Sequence, residues 1–177
     1  MENTHNLKLF IVDDDQFCSS MYERYLKNNH YNDVTVFSSG TECLNALHLK
    51  PDIIFLDHNM EDLNGFEVLK KIKRYDPNIY VIMVSAQQNI DTAVDTLKYG
   101  TFDYLMKGND VCEKMKETIE KIVSIRQEMA QNKFKTIRRF FSFLFSLNSL
   151  KLNQQSIWGK VQDPSLQFSQ QNHKAAT

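Results

Sequence analysis

Cysteine is scarce: the chain has three, Cys18, Cys43 and Cys112, odd in number and far apart along 177 residues. That excludes a disulfide framework and a CxxC metal pair, and it points to a reducing compartment. Long apolar runs are missing as well. None approaches the ~18 residues of a membrane span, and the opening MENTHNLKLFIVDDDQ reaches three aspartates too early for a secretory signal. A cytoplasmic location is expected. The five histidines (His5, His30, His48, His58 and His173) lack ligand spacing and are all expected at the surface. Net charge is nearly absent too, at −1. That balance conceals two opposite regions. Residues 1–125 hold 13 Lys/Arg against 20 Asp/Glu, whereas 126–177 hold 8 against 2 and six of the twelve Phe. A shift of this kind within one chain suggests regions with different partners.

What is present is enough for one domain of ordinary size with an appendage. Apolar segments alternate with amphipathic ones through the first 125 residues. Leu7–Asp13, Val34–Phe37, Asp52–Asp57, Ile79–Ser85 and Phe102–Met106 read as strands. Between them Gln16–Asn28, Thr41–Leu49, Gly65–Tyr75 and Asn89–Tyr99 read as helices, and Asp110 opens a long last one. Ser39 or Thr41 is placed to cap the second helix, and Gly100 to end the fourth in a left-handed turn. Five such β-then-α units predict an α/β fold, a five-stranded parallel sheet with helices on both faces. Working residues in sheets of this kind gather beyond the strand C-termini. Here those ends deliver Asp13-Asp14, Asp57, Ser85-Ala86 and Lys107 to one rim.

Three carboxylates on one edge repel each other unless a cation lies between them. An all-oxygen donor set without His or Cys selects a hard ion, and Mg²⁺ fits best. A carboxylate beside such an ion, a hydroxyl and a lysine is a ready phosphoryl acceptor. Each residue alone has a plainer reading: Asp13–Asp15 as a helix cap, Ser85 as a turn residue, Lys107 as a solvated charge, Tyr104 as part of the core. It is the agreement of four strand ends that favours a site.

The segments IVDDDQ, FLDHNM, VSA and FDYLMKG, in this order and spacing over roughly residues 6–125, resemble the response-regulator receiver domain of two-component signalling. The resemblance implies the flavodoxin-like doubly wound fold with strand order 2-1-3-4-5. It implies Asp57 as phosphoacceptor, Asp14 as direct Mg²⁺ ligand, Asp13 as a ligand mainly through water, and the Asn59 backbone carbonyl in the metal shell. Ser85 and Lys107 would contact the phosphoryl group, with Ser85 and Tyr104 forming the switch. The implied partner is a sensor histidine kinase or phosphotransfer protein, and such domains assist their own phosphorylation and dephosphorylation without acting as enzymes on other substrates. Two positions depart from the family pattern: Glu61 and Gly108 stand where proline is usual. A trans Lys107–Gly108 bond, or a looser lysine, is therefore expected, since the cis form costs about 2.5–4 kcal/mol without proline. Two other readings stay open. One is a degenerate receiver that binds partners without phosphorylation. The other is a small phosphatase using Asp57 as nucleophile, disfavoured because Asn59 stands where a general acid is wanted.

The remainder divides into a helical extension over 126–152 and a polar, largely disordered tail over 153–177. On a wheel the apolar residues of 134–152 fill an arc of roughly 220°, leaving a stripe of about 100° to Lys135, Arg138, Arg139, Ser142, Ser146 and Ser149. The expected cover is the receiver itself or a partner copy; a membrane interface or another protein are the alternatives. No helix-turn-helix pair is visible, so DNA binding is not expected.

Overall fold

The computed structural model describes residues 7–86 and 90–161, with side chains for 7–86 and 94–139. Its elements are β1 (Leu9–Val12), α1 (Gln16–Asn28), β2 (Val34–Phe37), α2 (Gly40–Asn45), a 3-10 turn (Leu47–Leu49), β3 (Ile53–Asp57), α3 (Gly65–Tyr75), β4 (Tyr80–Ser85), α4 (Ile90–Lys98), β5 (Asp103–Met106) and α5 (Val111–Val161). All strand pairs are parallel, in the order β2-β1-β3-β4-β5.

The unbroken apolar strands follow from burial on both faces. Leu9, Ile11, Ile53, Phe55, Ile82 and Val84 point into a layer shared with Tyr22 and Leu26 of α1 and Met115, Ile119 and Ile122 of α5. Their neighbours Phe10, Val12, Ile54, Leu56, Val81 and Met83 point the other way, into Cys43 of α2 and Val68, Leu69 and Ile72 of α3. Alternation along each strand thus feeds two cores. Each such Leu or Ile, taken from water, contributes about 1.5–3 kcal/mol.

Local chemistry sets the helix starts. Asp15 caps α1, its carboxylate accepting from the Phe17 and Cys18 amides at 2.8 and 3.2 Å. Ser39, one of the two expected candidates, caps α2 through the Glu42 amide, and Asn64 caps α3 through Phe66. Gly100 ends α4 at φ +90° as expected. The helix expected over Thr41–Leu49 is shorter, because it tightens after Asn45 into the 3-10 turn and stops at Lys50 in a left-handed conformation, φ 57°. Pro51 follows directly and cannot continue a helix.

At the sheet's other end Asp52 joins two elements. Its carboxylate accepts from the Lys8 amide at 2.9 Å and pairs with Arg126 of α5 at 2.8 Å, where the guanidinium also lies 5.0 Å from the Tyr80 ring centre. Residues Met1–Arg126 form one compact unit and Gln127–Thr177 a second. The α5 backbone is helical through Val161, so the helix does not stop at 152 as expected; 151–161 contains no proline to end it. Residues 162–177 of the expected polar tail lie outside the described residues.

Candidate functional site

The strand register decides which residues meet. Val12 pairs with Leu56, Asp57 with Val84, and Ser85 with Met106, so β1, β3, β4 and β5 end level with one another. The residues at or just past those ends are Asp13, Asp14, Asp57, Ser85 and Lys107. Two backbone bonds extend the ladder past the strands. The His58 amide donates to the Val84 carbonyl at 3.1 Å, and the Lys107 amide to the Ser85 carbonyl at 2.8 Å.

Lys107 is the centre of the arrangement. Its ammonium lies 2.9 Å from Asp13 Oδ2 and 3.0 Å from Asp57 Oδ1. Asp13 is 3% exposed, Asp57 4% and Ser85 fully buried, while Asp14 stands open to solvent. The Lys107–Gly108 peptide is trans, as every described peptide bond is. The lysine reaches both carboxylates without proline behind it, so the looser placement allowed for on sequence grounds is not what the structure has.

Backbone amides orient the acids. Asp13 Oδ1 accepts from the Asp15 amide at 3.0 Å, and Asp57 Oδ2 from the Asn59 amide at 3.2 Å. Asp14 Oδ2 accepts from the Glu61 amide at 3.1 Å. Proline at 61 has no N–H and could not make that bond; the departure at Glu61 therefore adds an amide to the site. Tyr104 is half-buried on β5, packed against the α2–α3 layer.

Electrostatics follow from burial. Desolvation pushes the Asp13 and Asp57 carboxyls above the usual range, even though Lys107 pulls both down. Burial alone would lower the Lys107 ammonium, but Asp13 and Asp57 together hold it above its ordinary value. One lysine does not satisfy this cluster. Asp13 Oδ2 is buried and, although ion-paired with Lys107, takes part in no hydrogen bond of good geometry. Asp13, Asp14 and Asp57 each offer an oxygen within 4.8 Å of the others. An all-carboxylate donor set, three carboxylates against one lysine, and one open face suit a hard divalent cation such as Mg²⁺.

Two residues went unnoticed or misread in the sequence. His58 was expected at the surface but is 9% exposed, with Nδ1 buried and unpartnered, and burial lowers its pKa. The cause is the extra ladder bond to Val84, which carries it one position beyond β3 into the interior. Asp62 carried no motif or periodicity. Its two oxygens accept from the Gly40 and Thr41 amides at 3.1 and 2.9 Å, pinning the β3–α3 loop to the start of α2. Although burial opposes it, bonding to the Thr41 and Gly40 amides holds its carboxyl below the ordinary value.

The profile of the response regulator receiver domain matches residues 9–120. The DNA-binding transcriptional regulator NtrC of Klebsiella pneumoniae is 37% identical over 123 residues, 69% of this chain but 26% of that protein. The chemotaxis protein CheY of Listeria monocytogenes is 34% identical over 116 residues, covering 65% of this chain and 97% of its own length. Among solved structures, a CheY-like receiver domain from Methanospirillum hungatei superposes with TM-score 0.59 at 27% identity, over 66% of this chain and 96% of that one. The chain spans about a quarter of the length of the NtrC relatives it matches.

Proposed function

Because the chain belongs to the response-regulator receiver domain family, we propose that it is a phosphorylation-activated switch in which Asp57 accepts a phosphoryl group from a sensor histidine kinase or phosphotransfer protein. The observation that carries this reading is the placement of Lys107 between Asp13 and Asp57, 2.9 and 3.0 Å from their oxygens, beside the open Asp14. An Asp57 carboxylate oxygen attacks phosphorus, the P–N bond of the donor phosphohistidine breaks, and the electron pair leaves with the imidazole. An acyl phosphate then stands on Asp57.

The chain's own groups prepare that transfer. The Asn59 amide orients Asp57 through Oδ2, and Lys107 is positioned to pair with the incoming phosphoryl oxygens in place of Oδ1. Ser85, at the end of β4, supplies a hydroxyl to the same group, and Tyr104 on β5 adjusts behind it as the switch. Asp13, Asp14, Asp57 and the Asn59 carbonyl would hold Mg²⁺, which when bound neutralises charge on the transferring group. Water attack on phosphorus reverses the state and releases phosphate. Phosphorylation biases a two-state equilibrium at Ser85 and Tyr104, and the output is a change in protein contacts.

Acetyl phosphate with Mg²⁺, read by intact mass, tests the proposal. One phosphoryl adduct on the wild type, lost in Asp57→Asn, is the expected result. No adduct under any Mg²⁺ concentration would mean a receiver that works without phosphorylation.

A further inference from the structure

After Glu128 the α5 helix carries only one sign of charge. From Met129 to Val161 it holds Lys133, Lys135, Arg138, Arg139, Lys151 and Lys160 and no Asp or Glu. The apolar side chains described at the start of this stretch are exposed, Met129 by 64%, Phe134 by 73% and Ile137 by 42%. Next comes Phe140–Leu150, FFSFLFSLNSL, with no charged residue. Its serines at 142, 146 and 149 are spaced by four and three, continuing the line of Lys135 and Arg138 along one side of a helix.

Three kinds of cover compete for this segment. A second copy of the helix would bring its own cations and no carboxylate to answer them, the reverse of the opposite-charge pairing that aligns helices in water. A soluble groove lined with acid would answer the charge, but the apolar arc of roughly 220° is wider than the face one groove covers. An anionic lipid surface meets both demands, taking Phe and Leu into the acyl boundary while phosphates attract the flanking Lys and Arg. The uncharged stretch is about 16 Å long at about 1.5 Å per residue, roughly half of a ~30 Å hydrocarbon core. It cannot cross, and no described helix is long and apolar enough to do so.

We propose that residues 129–161 are an interfacial helix that binds anionic lipid surfaces, lying in the plane of the membrane with Phe and Leu inward and the Lys/Arg/Ser stripe outward. This does not depend on phosphorylation of Asp57. It replaces the expectation of a partner copy of this helix on one ground, the absence of any acid between Glu128 and Asp163.

The chain contains its own reporter, since Trp158 is the sole tryptophan and lies in this helix. The full-length protein is sedimented with vesicles of phosphatidylcholine alone or mixed with phosphatidylglycerol, and Trp158 emission is recorded alongside. Pelleting and a blue shift that require phosphatidylglycerol and weaken with salt are expected. Phe141→Ser with Phe145→Ser should abolish both. Arg138→Ser with Arg139→Ser should lower vesicle affinity by about tenfold or more. Thermal melts of the receiver should be the same in both double variants, whose sites lie outside Met1–Arg126. A chain that ignores every vesicle overturns the proposal, and if it is then a stable dimer by light scattering the cover is a second copy. Equal pelleting with phosphatidylcholine alone, unmoved by either double variant, overturns it as well.

Discussion

Asp57 and Asp13 sit where a carboxylate is costly, buried on one rim with a single lysine between them. Both are raised by desolvation. A carboxyl raised in the folded state holds its proton more firmly folded than unfolded. Its contribution therefore favours folding below the ordinary value of 3.8 and is lost as pH rises through the raised one. Asp57→Asn removes that penalty. In the absence of divalent ions it should match the wild type below this window and exceed it above, by about 1 kcal/mol near neutrality. Thermal melts across the acidic range would show it, and a constant difference at every pH would contradict it. The sequence makes the acids of this cluster visible because each ends a strand. It does not show that His58 is buried, since nothing in FLDHNM reveals that the β3–β4 ladder runs one residue further.

At the scale of elements, the site depends on how closely α3 approaches β3. A methyl group added at Gly65 would collide with the Asp57 carbonyl oxygen and come within 2.9 Å of the His58 Cα. Those are backbone atoms with little freedom to yield. Gly65→Ala should cost about 1–3 kcal/mol in denaturant melts and slow the reaction with acetyl phosphate, because the atoms displaced are those of the proposed acceptor. Normal stability with a normal rate would show that the loop absorbs the strain. Asp62 binds the same loop from its other side. Asp62→Ala leaves two α2 amides without their acceptor and should destabilise by about 1–2 kcal/mol. Helices α1 and α3 were legible in the sequence to the residue, and the structure shows Asp15 and Asn64 capping their starts. Helix α2 was not. The residue that ends its turn in a left-handed conformation is Lys50 rather than glycine, and the Asp62 clasp spans 22 residues to Gly40.

For the molecule as a whole, the two units differ in charge, the first acidic and the second basic. The excess acid of the unit Met1–Arg126 includes a rim suited to a divalent ion. If Mg²⁺ binds only the folded chain, saturation at about 100 times Kd should add about 2.7 kcal/mol of stability, seen as a rise in melting temperature. Asp14→Asn should remove most of that rise while leaving the metal-free melt nearly unchanged, because Asp14 is exposed. An undiminished rise would place the ion elsewhere. The parallel sheet covered on both faces was readable from five β-then-α units, because buried parallel strands leave continuous apolar runs; the strand order came only with the resemblance to receiver domains. The Lys8–Asp52–Arg126 clasp was not readable, because residues separated by 44 and 74 positions meet only once the sheet is closed.

The bond from the Glu61 amide to Asp14 has a consequence for observation. It ties the β3–α3 loop to the β1–α1 loop through the acid of the three-carboxylate cluster that faces solvent. An ion that binds through Asp14 Oδ2 competes with that amide for the same oxygen. In a Mg²⁺ titration followed by nuclear magnetic resonance, the Glu61 amide proton should shift early and exchange with solvent faster, while the sheet amides around it become better protected. One backbone position would then serve as an internal gauge of metal occupancy.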